Sequence, residues 1–256
     1  MRIVSWNVFF TNKRRIKKGI QYILSLRPDV VCLQEVSHKS MLWLYSLSGY
    51  TVSKCFESKH HFASQKHIYT CTLTKKKPTQ IKRYIYDIGS YNSILTKLYA
   101  FIAHLKEQHN VLVVRLSIQK KLIQIANTRL SCAIGSYGRL QECQTLIQKT
   151  KHRTVPTIYC GDYNVVDNKL FNRLTGWIRG FDYFDYLLDE RTAFEQLYQK
   201  EQLINVFQGK STWAFNKPLL QFDHILIPDT FKIRSHTLLK NRYGSDHRVL
   251  IADIAI

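Results

Sequence analysis

Acidic residues are scarce in this chain of 256 residues, which has 18 Asp and Glu against 38 Lys and Arg. The formal net charge of +20 favours polyanionic partners, such as nucleic acid, phosphorylated ligands or an acidic membrane surface. A proteome that is basic throughout would produce the same imbalance. Charge therefore limits the choice of partner without deciding it, and it does not restrict the fold.

Glycine, proline and long apolar runs are also scarce, and each absence excludes a class of protein. With 10 Gly and 5 Pro in a composition that is 45% hydrophobic, the chain is neither disordered nor fibrous. No apolar run approaches the roughly 18–20 residues that span a bilayer. The first residues lack the apolar segment and cleavage site of a secretory signal. We therefore expect a cytoplasmic, monomeric protein.

Cysteine clusters are missing as well. The six cysteines are scattered, with no C-x-x-C pair and no Cys/His spacing typical of zinc sites. Most of them lie in apolar, strand-like runs, so the sequence predicts buried, reduced thiols rather than disulfides or a metal cluster.

Hydrophobic patterning predicts strands interleaved with helices along the whole chain. A strand at Arg2–Val8 is followed by an amphipathic helix with Ile16, Ile20 and Ile23 on one face, and then by a buried strand at Val30–Leu33. Short alternating runs follow near 50–55, 67–73, 81–88, 98–103, 110–118 and 121–129, of which the last two form a hairpin. The remaining predicted elements are helices at Arg139–Lys149, Asn168–Leu174 and Thr192–Leu203, and strands at Thr157–Cys160, Thr212–Phe215, Phe222–Ile227, Phe231–Leu238 and Val249–Ile254.

No linker or repeat divides the chain, so we expect one domain over residues 1–256. The interleaved pattern is typical of an α/β (α+β) fold with sheets at the centre and helices outside.

Polar side chains are concentrated where the predicted strands end. Residues at corresponding strand ends meet at one edge of a sheet, where loops support chemistry. The residues in such positions are Asn7, Glu35, Asp162, Asn164, Asp223, Asp246 and His247. Carboxylate oxygens are the ligands that Mg²⁺ or Mn²⁺ prefers, and a further carboxylate there can deprotonate water. Several buried carboxylates repel one another unless a cation or a protonated histidine shares the site, so the pattern implies a metal.

The order of these segments resembles the endonuclease/exonuclease/phosphatase superfamily, the fold of DNase I-like and exonuclease III-like enzymes. The matching segments are Ile3–Val8, Pro28–Glu35, Gly161–Asn164, Phe222–Leu226 and Ser245–His247. The resemblance extends over the whole chain and implies a four-layer α-β-β-α sandwich of two packed mixed sheets. The Tyr-x-Pro-Asn segment expected of abasic-site enzymes is absent, which weakens the resemblance to that particular class.

The same resemblance implies a role for each residue. Glu35 is the expected principal metal carboxylate, with Asn7 beside it and Asp246 on the same side, and Mg²⁺ is the expected ion, with Mn²⁺ as a possible substitute. Asp162 is expected to activate the attacking water, and Asn164 to hold that carboxylate and contact the phosphate. His247 is expected to contact the scissile phosphate while Asp223 orients it.

One position departs from the family pattern. Arg129 stands in Asn127-Thr-Arg-Leu130, where many members have a histidine that stabilises or protonates the leaving oxygen. Arginine cannot donate its proton at working pH, but it can clamp a phosphate through two hydrogen bonds. We therefore expect Arg129 to point into the site; an arginine that points away, with impaired catalysis, is the alternative.

Arg139 and Gln141, which open a helix, resemble an Arg-x-Gln motif that is frequent in the family, so Arg139 is either a substrate contact or a surface residue of that helix. Substrate contacts are also predicted at Arg242 and Tyr243, which precede Ser245-Asp-His247. Interleaved basic and aromatic residues suit phosphate contacts and base stacking, although tyrosines that alternate into a sheet core produce the same pattern. The favoured hypothesis is a Mg²⁺-dependent phosphodiesterase acting on DNA or RNA. A hydrolase of a small phosphorylated or lipid substrate, and a catalytically silent nucleic-acid-binding protein, are the alternatives.

Overall fold

A computed structural model describes residues 1–12, 15–60, 67–85, 105–107, 110–132, 134–166, 168–214 and 220–256 of the chain. The helices in these ranges are α1 (Ile16–Ser25), α2 (His38–Leu44), α3 (Ser136–Thr150), α4 (Lys169–Thr175), α5 (Tyr183–Leu187) and α6 (Glu190–Lys200), with a 3₁₀ turn at Gly176–Arg179. The strands are β1 (Arg2–Asn7), β2 (Val30–Ser37), β3 (Thr51–His60), β4 (Ile68–Thr74), β5 (Gln80–Ile85), β6 (Leu105–Glu107), β7 (Asn110–Ile118), β8 (Lys121–Arg129), β9 (Thr157–Asp162), β10 (Leu203–Asn205), β11 (Asp223–Pro228), β12 (Lys232–Leu238) and β13 (Leu250–Ala255).

The strands form two mixed sheets. The seven-stranded sheet has the order β12-β13-β1-β2-β4-β3-β6, and the six-stranded sheet has the order β10-β11-β9-β8-β7-β5. Each sheet contains one parallel pair, β1 with β2 and β8 with β9, and the remaining neighbours run antiparallel.

Side-chain alternation separates the central core from two outer cores. Ile3 and Ile158 belong to a cluster between the sheets, whereas Val4 and Tyr159, the next residues along, belong to outer clusters. α1 and α2 cover the outer face of the seven-stranded sheet, and α3 and α6 cover that of the six-stranded sheet. The expected four-layer α-β-β-α sandwich is therefore confirmed.

Several of the helices begin where the sequence supplies a capping side chain. The side chains of Ser37, Asn168 and Asp189 accept hydrogen bonds from backbone amides at the starts of α2, α4 and α6. Burial of Ile16, Ile20 and Ile23 against the sheet accounts for α1, which ends before Pro28.

Several element predictions need correction. The helix expected at Thr192–Leu203 is α6, which ends at Lys200. Leu203 belongs instead to β10, where it pairs with Pro228 of β11. The strand expected at Thr212–Phe215 is reduced to an isolated bridge between Trp213 and His247, and residue 215 is outside the described residues. α2 and α5 were not predicted. The run near 98–103 also lies outside the described residues.

The predicted thiols are reduced. All six cysteines are free, and five are buried: Cys32, Cys55, Cys71, Cys143 and Cys160. Cys132 is half-buried. Burial raises the pKa of the Cys71, Cys143 and Cys160 thiols well above the ordinary value, so these groups stay protonated.

Candidate active site

Strand register brings the predicted site residues together at one end of the two sheets. In the six-stranded sheet, Asp162 of β9 is the register partner of both Arg129 of β8 and Asp223 of β11. In the seven-stranded sheet, Asn7 ends β1 beside Gln34 of β2, and Glu35 follows. Because both parallel pairs end at this edge, residues far apart in sequence share one site.

Glu35 is aimed into the site by a bulge in β2. The pairing of β2 with β4 shifts between Leu33 and Val36, and Glu35 has a φ of 56°, in the left-handed region. Bulges re-aim side chains and are common beside active sites. The Glu35 carboxylate accepts hydrogen bonds from the Asn7 amide at 3.1 Å and from the Phe10 backbone N–H at 3.3 Å.

Asp162 is a deeply enclosed carboxylate of the site, with 1% of its surface exposed. Its Oδ2 accepts a hydrogen bond from the Asn7 Nδ2 at 2.9 Å, and its Oδ1 accepts one from the Asn164 backbone N–H at 3.0 Å. Asn164 therefore holds Asp162 through its backbone, as its φ of 51° allows. The Asn164 side chain donates to the Leu130 carbonyl at 2.7 Å, so it is the backbone of Asn164 that contacts the aspartate.

His247 is oriented by Asp223, as expected. The His247 Nδ1 lies 2.8 Å from the Asp223 Oδ2, and its Nε2 lies 4.0 Å from the Asp162 Oδ2. Ser245 fixes the loop, because its hydroxyl donates to the Asn7 carbonyl at 2.7 Å and accepts from the His247 N–H at 3.0 Å. Ser245 thereby joins the end of β1 to the loop that precedes β13.

Arg129 points into the site and lies among three carboxylates. Its Nε is 3.0 Å from the Glu35 Oε1, and the side chain is 11% exposed. The same nitrogen lies 3.7 Å from the Glu57 Oε1 and 3.8 Å from the Asp162 Oδ2. The alternative of an outward-pointing arginine is therefore wrong.

Glu57 was missed by the sequence analysis. It is a buried residue of β3, and its Oε2 accepts hydrogen bonds from the Thr70 hydroxyl at 2.8 Å and the Glu35 backbone N–H at 3.1 Å. No motif contains it. The one available signal was an acidic residue within an otherwise strand-like run.

Burial and neighbouring charges push the pKa values of the acidic groups apart. Burial, opposed by His247, raises the pKa of Asp162 to about 6. Burial, opposed by Arg129 and reinforced by Glu35, raises the pKa of Glu57 to about 7. For Glu35, burial also acts to raise the pKa, but Arg129 and Asn7 outweigh it and the pKa is lowered.

The pKa of His247 is shifted in the opposite direction to that of an ordinary buried histidine. Burial would lower its pKa, but the carboxylates of Asp223 and Asp162 raise the pKa to about 10. The ring is therefore an imidazolium at neutral pH.

The residues present fit a hard divalent cation. The Asp246 Oδ1 is buried, accepts no hydrogen bond and lies 3.9 Å from the His247 Nε2. Burial, opposed by His247 and reinforced by the nearby Glu35 carboxylate, raises the pKa of Asp246. The Glu35 and Asp246 carboxylates are oxygen donors of the kind that Mg²⁺ takes. Asn7, expected beside them, turns its Nδ2 to Glu35 and Asp162, while its Oδ1 accepts from the Phe9 N–H. Asp162, Asp223 and His247 also place one ligand atom each within 4.8 Å of one another. In that second group the His247–Asp223 hydrogen bond already engages the imidazole Nδ1.

A basic groove of about 480 Å³ lies beside Asp246. Its walls include Phe9, Arg15, Lys240 and Arg242. Arg242 is half-buried and donates to the Ser245 carbonyl at 3.4 Å, so this predicted substrate contact does adjoin the site.

The structure contradicts one of the predicted substrate contacts and largely buries another. Tyr243 lines the groove beside Asp246 but is 8% exposed, with its ring 6.3 Å from Trp6 and 5.7 Å from Tyr22. Arg139 is fully buried and pairs with Glu190 at 2.6 Å, while also donating to the Ser131 carbonyl at 2.8 Å. It ties the loop after Arg129 to α6 instead of facing a substrate.

Half-buried aromatic rings adjoin the histidine. The Phe222 ring lies 5.8 Å from that of His247, and the Trp213 ring lies 5.6 Å from Phe222. These two rings were not among the predicted substrate contacts.

The chain belongs to the Endonuclease/Exonuclease/phosphatase family, whose sequence model matches residues 4–247. A DNA-(apurinic or apyrimidinic site) endonuclease of Dictyostelium discoideum is 29% identical over 215 residues, which cover 78% of this chain and 51% of that protein. The chain thus spans about half the length of this relative. Members of the family are hydrolases that act on phosphate esters.

Solved structures share the fold. An endonuclease/exonuclease/phosphatase from Beutenbergia cavernae has a TM-score of 0.73 at 13% identity, covering 99% of this chain and 71% of its own. TDP2 of D. rerio, complexed with a single-strand DNA product, has a TM-score of 0.63 at 17% identity, covering 100% of this chain and 99% of its own. None of the helices in the described ranges is long and apolar enough to cross a membrane.

Proposed function

We propose that the protein is a Mg²⁺-dependent phosphodiesterase that cleaves nucleic acid. The observation that carries this proposal is Asp162, a buried carboxylate held by Asn7 and by the Asn164 backbone, with the His247 imidazole 4.0 Å away. A base and a cationic donor on either side of a small space are what attack of water on a phosphate requires.

Each side chain has a part in this chemistry. Asp162 accepts the proton of the attacking water, and a pKa near 6 leaves it ionised at neutral pH. His247, an imidazolium held by Asp223, donates a hydrogen bond to a phosphoryl oxygen as negative charge develops there. Arg129 supplies a second fixed positive charge next to the same carboxylates.

Glu35 and Asp246 would hold the cation, with Asn7 beside them. A bound Mg²⁺ supplies Lewis-acid polarisation of a phosphoryl oxygen and neutralises charge that the carboxylates would otherwise repel. The Asp246 Oδ1, which accepts no hydrogen bond, is the oxygen most available to such an ion.

Three observations support nucleic acid as the substrate. The net charge is +20, the groove beside Asp246 is lined by Arg15, Lys240 and Arg242, and half-buried aromatic rings adjoin His247. Cationic side chains bind phosphates, while aromatic faces stack with bases. The similarity to a DNA endonuclease is consistent with nucleic acid as the substrate. That the cleaved bond is a phosphodiester is itself part of the proposal.

The test is cleavage of labelled DNA and RNA in Mg²⁺ or Mn²⁺, with EDTA as the control. We expect Asp162→Asn to reduce turnover by about 10²–10⁴-fold, because the amide retains the shape of the carboxylate but cannot accept the proton. Asp229→Asn, in an exposed turn, is the matched control and should cleave normally.

Two results would contradict the proposal. Turnover confined to mononucleotides, sugar phosphates or phospholipids would favour a small phosphorylated or lipid substrate. Salt-sensitive binding of DNA without turnover in any metal would favour a silent binding protein.

A further inference from the structure

Glu57 is a buried acidic residue that the proposed mechanism does not use. It is 5% exposed and lies on β3, one strand removed from β2, with β4 between them. A buried carboxylate without a partner destabilises the fold by several kcal/mol. The groups that contact Glu57 therefore indicate its role.

Two strand bulges, one in β2 and one in β3, bring the Glu35 and Glu57 side chains to the same edge of the sheet on either side of β4. The pairing of β3 with β4 shifts between Phe56 and Ser58, and that of β2 with β4 shifts between Leu33 and Val36. At each shift, one acidic side chain departs from the regular alternation of side chains between the two faces of the sheet. Two coordinated irregularities on either side of one strand place both carboxylates at the same edge.

The Glu57 Oε2 is fixed by two donors. The Thr70 hydroxyl of β4 donates to it at 2.8 Å, and the backbone N–H of Glu35 donates to it at 3.1 Å. The second bond holds the very residue whose φ of 56° turns its carboxylate into the site. Without an acceptor at this place, the Glu35 N–H would be buried and unsatisfied in an unfavourable backbone conformation.

The other oxygen of Glu57 faces Arg129. The Glu57 Oε1 has no hydrogen bond and lies 3.7 Å from the Arg129 Nε, which is itself 3.0 Å from the Glu35 Oε1. The Glu57 and Glu35 carboxylates therefore both attract the same guanidinium. With the Glu57 charge removed, the attraction of Glu35 and Asp162 alone would pull Arg129 further into the space that a cation needs.

We propose that Glu57 is a positioning residue, which holds the Glu35 carboxylate and the Arg129 guanidinium in the arrangement that binds the divalent cation. This inference rests on the proposed function only in taking Glu35 as a metal ligand. It predicts that loss of Glu57 weakens cation binding even though Glu57 is not itself a ligand.

The test is calorimetric titration of the full chain with Mn²⁺, without substrate, at pH 8. This pH lies above the pKa of about 7 of Glu57. We expect Glu57→Gln to weaken Mn²⁺ binding by about 10–100-fold, the usual cost of losing a group that supports a metal ligand. Glu201→Gln, which removes the same charge from an exposed pair with Lys151, should bind Mn²⁺ as the wild type does.

Further variants separate positioning from a purely structural role. Thr70→Val removes the hydroxyl that orients Glu57 and should weaken Mn²⁺ binding in the same direction, whereas Thr70→Ser should restore it. In an Arg129→Gln background the effect of Glu57→Gln should shrink, because no guanidinium is left to move.

Unchanged Mn²⁺ affinity in folded Glu57→Gln or Thr70→Val, with only a lowered free energy of unfolding, would overturn the proposal. If Glu57→Gln does not fold, Thr70→Val decides, since it leaves the buried charge in place. A wild type that binds no Mn²⁺ would also overturn it. A wild type that binds Mn²⁺ but cuts no nucleic acid would contradict the proposed function alone, and the effects of Glu57→Gln and Thr70→Val on Mn²⁺ binding would still decide this inference.

Discussion

His247 is kept positively charged by the acidic residues that surround it. Asp223 lies 2.8 Å from its Nδ1, and together with Asp162 it overcomes the effect of burial and raises the pKa of the ring to about 10. Above this pH the ring loses the charge with which it is expected to stabilise a phosphoryl oxygen. The alkaline limit of activity therefore depends on a residue that does not touch substrate.

Asp223→Asn should lower the pKa of His247, since it removes the largest source of the upward shift. The alkaline limb of the kcat/KM profile should then move to lower pH, with Asp229→Asn as the control. The contribution of His247 to the free energy of unfolding also falls as the pH rises. Because the pKa of His247 in the folded protein exceeds its ordinary value of 6.5, this contribution is complete below pH 6.5 and is lost as the pH rises towards about 10. An alkaline limb that does not move would contradict the assigned role of Asp223.

Arg139 shows how a motif can mark a structural residue. Its guanidinium is buried against Glu190, whose other oxygen accepts the Val166 N–H at 3.2 Å. Removal of one partner from a buried ion pair leaves an uncompensated charge, which costs about 3–5 kcal/mol. Arg139 thus joins the loop that follows Arg129 to the segment that follows Asn164.

Arg139→Ala should accordingly lower the free energy of unfolding by about 3–5 kcal/mol in chemical denaturation. Asp253→Asn breaks the more exposed pair with Arg2 and should cost about 1 kcal/mol or less. A normal stability combined with a raised KM for nucleic acid would restore Arg139 as a substrate contact.

At the scale of the elements, the close approach of β8 and β9 places Arg129 and Asp162 side by side. Gly161, with a φ of 153°, sits opposite Thr128, and a Cβ at this position would overlap the Thr128 carbonyl oxygen. Any larger residue must separate the two strands directly below the Arg129–Asp162 pair.

Gly161→Ala should therefore reduce both activity and stability, the latter by about 1–3 kcal/mol. The measurements are turnover and thermal unfolding. Gly49→Ala is the matched control, because it shares a positive φ of 81° but has open space around it, so it should lose stability without losing turnover. Equal turnover in Gly161→Ala and wild type would show that the strand spacing is not needed for the site.

The elements differ in how far the sequence could predict them. α1 and the β7–β8 hairpin follow from the periodicity of their apolar residues, and β9 follows from a short continuous apolar run that is typical of a strand buried on both faces. The two bulges at Glu35 and Glu57 could not be predicted. A bulge depends on which strand lies opposite, and β4 lies between two strands that pair with it from either side.

At the scale of the whole molecule, the excess of positive charge should make binding of nucleic acid depend strongly on salt. We expect the affinity of Asp162→Asn for DNA to fall as KCl rises, with a log–log slope of about 0.7–0.9 per phosphate contacted. Lys240→Gln and Arg242→Gln should each reduce that slope by about one, because both residues line the groove beside Asp246. A slope unchanged by both substitutions would place the bound strand elsewhere.

The sequence by itself determined the four-layer class of fold and the set of acids, amides and imidazole at the strand ends. Those features are local: apolar periodicity defines strands and helices, and the family segments are contiguous. Only the tertiary structure decided that Arg129 points inward, that Glu57 belongs to the site, and that Arg139 and Tyr243 are buried in the fold. Each of these depends on a contact between residues far apart in sequence, such as Arg129 with Glu35 and Tyr243 with Trp6, and it is the packing of the two sheets and their covering helices that brings them together.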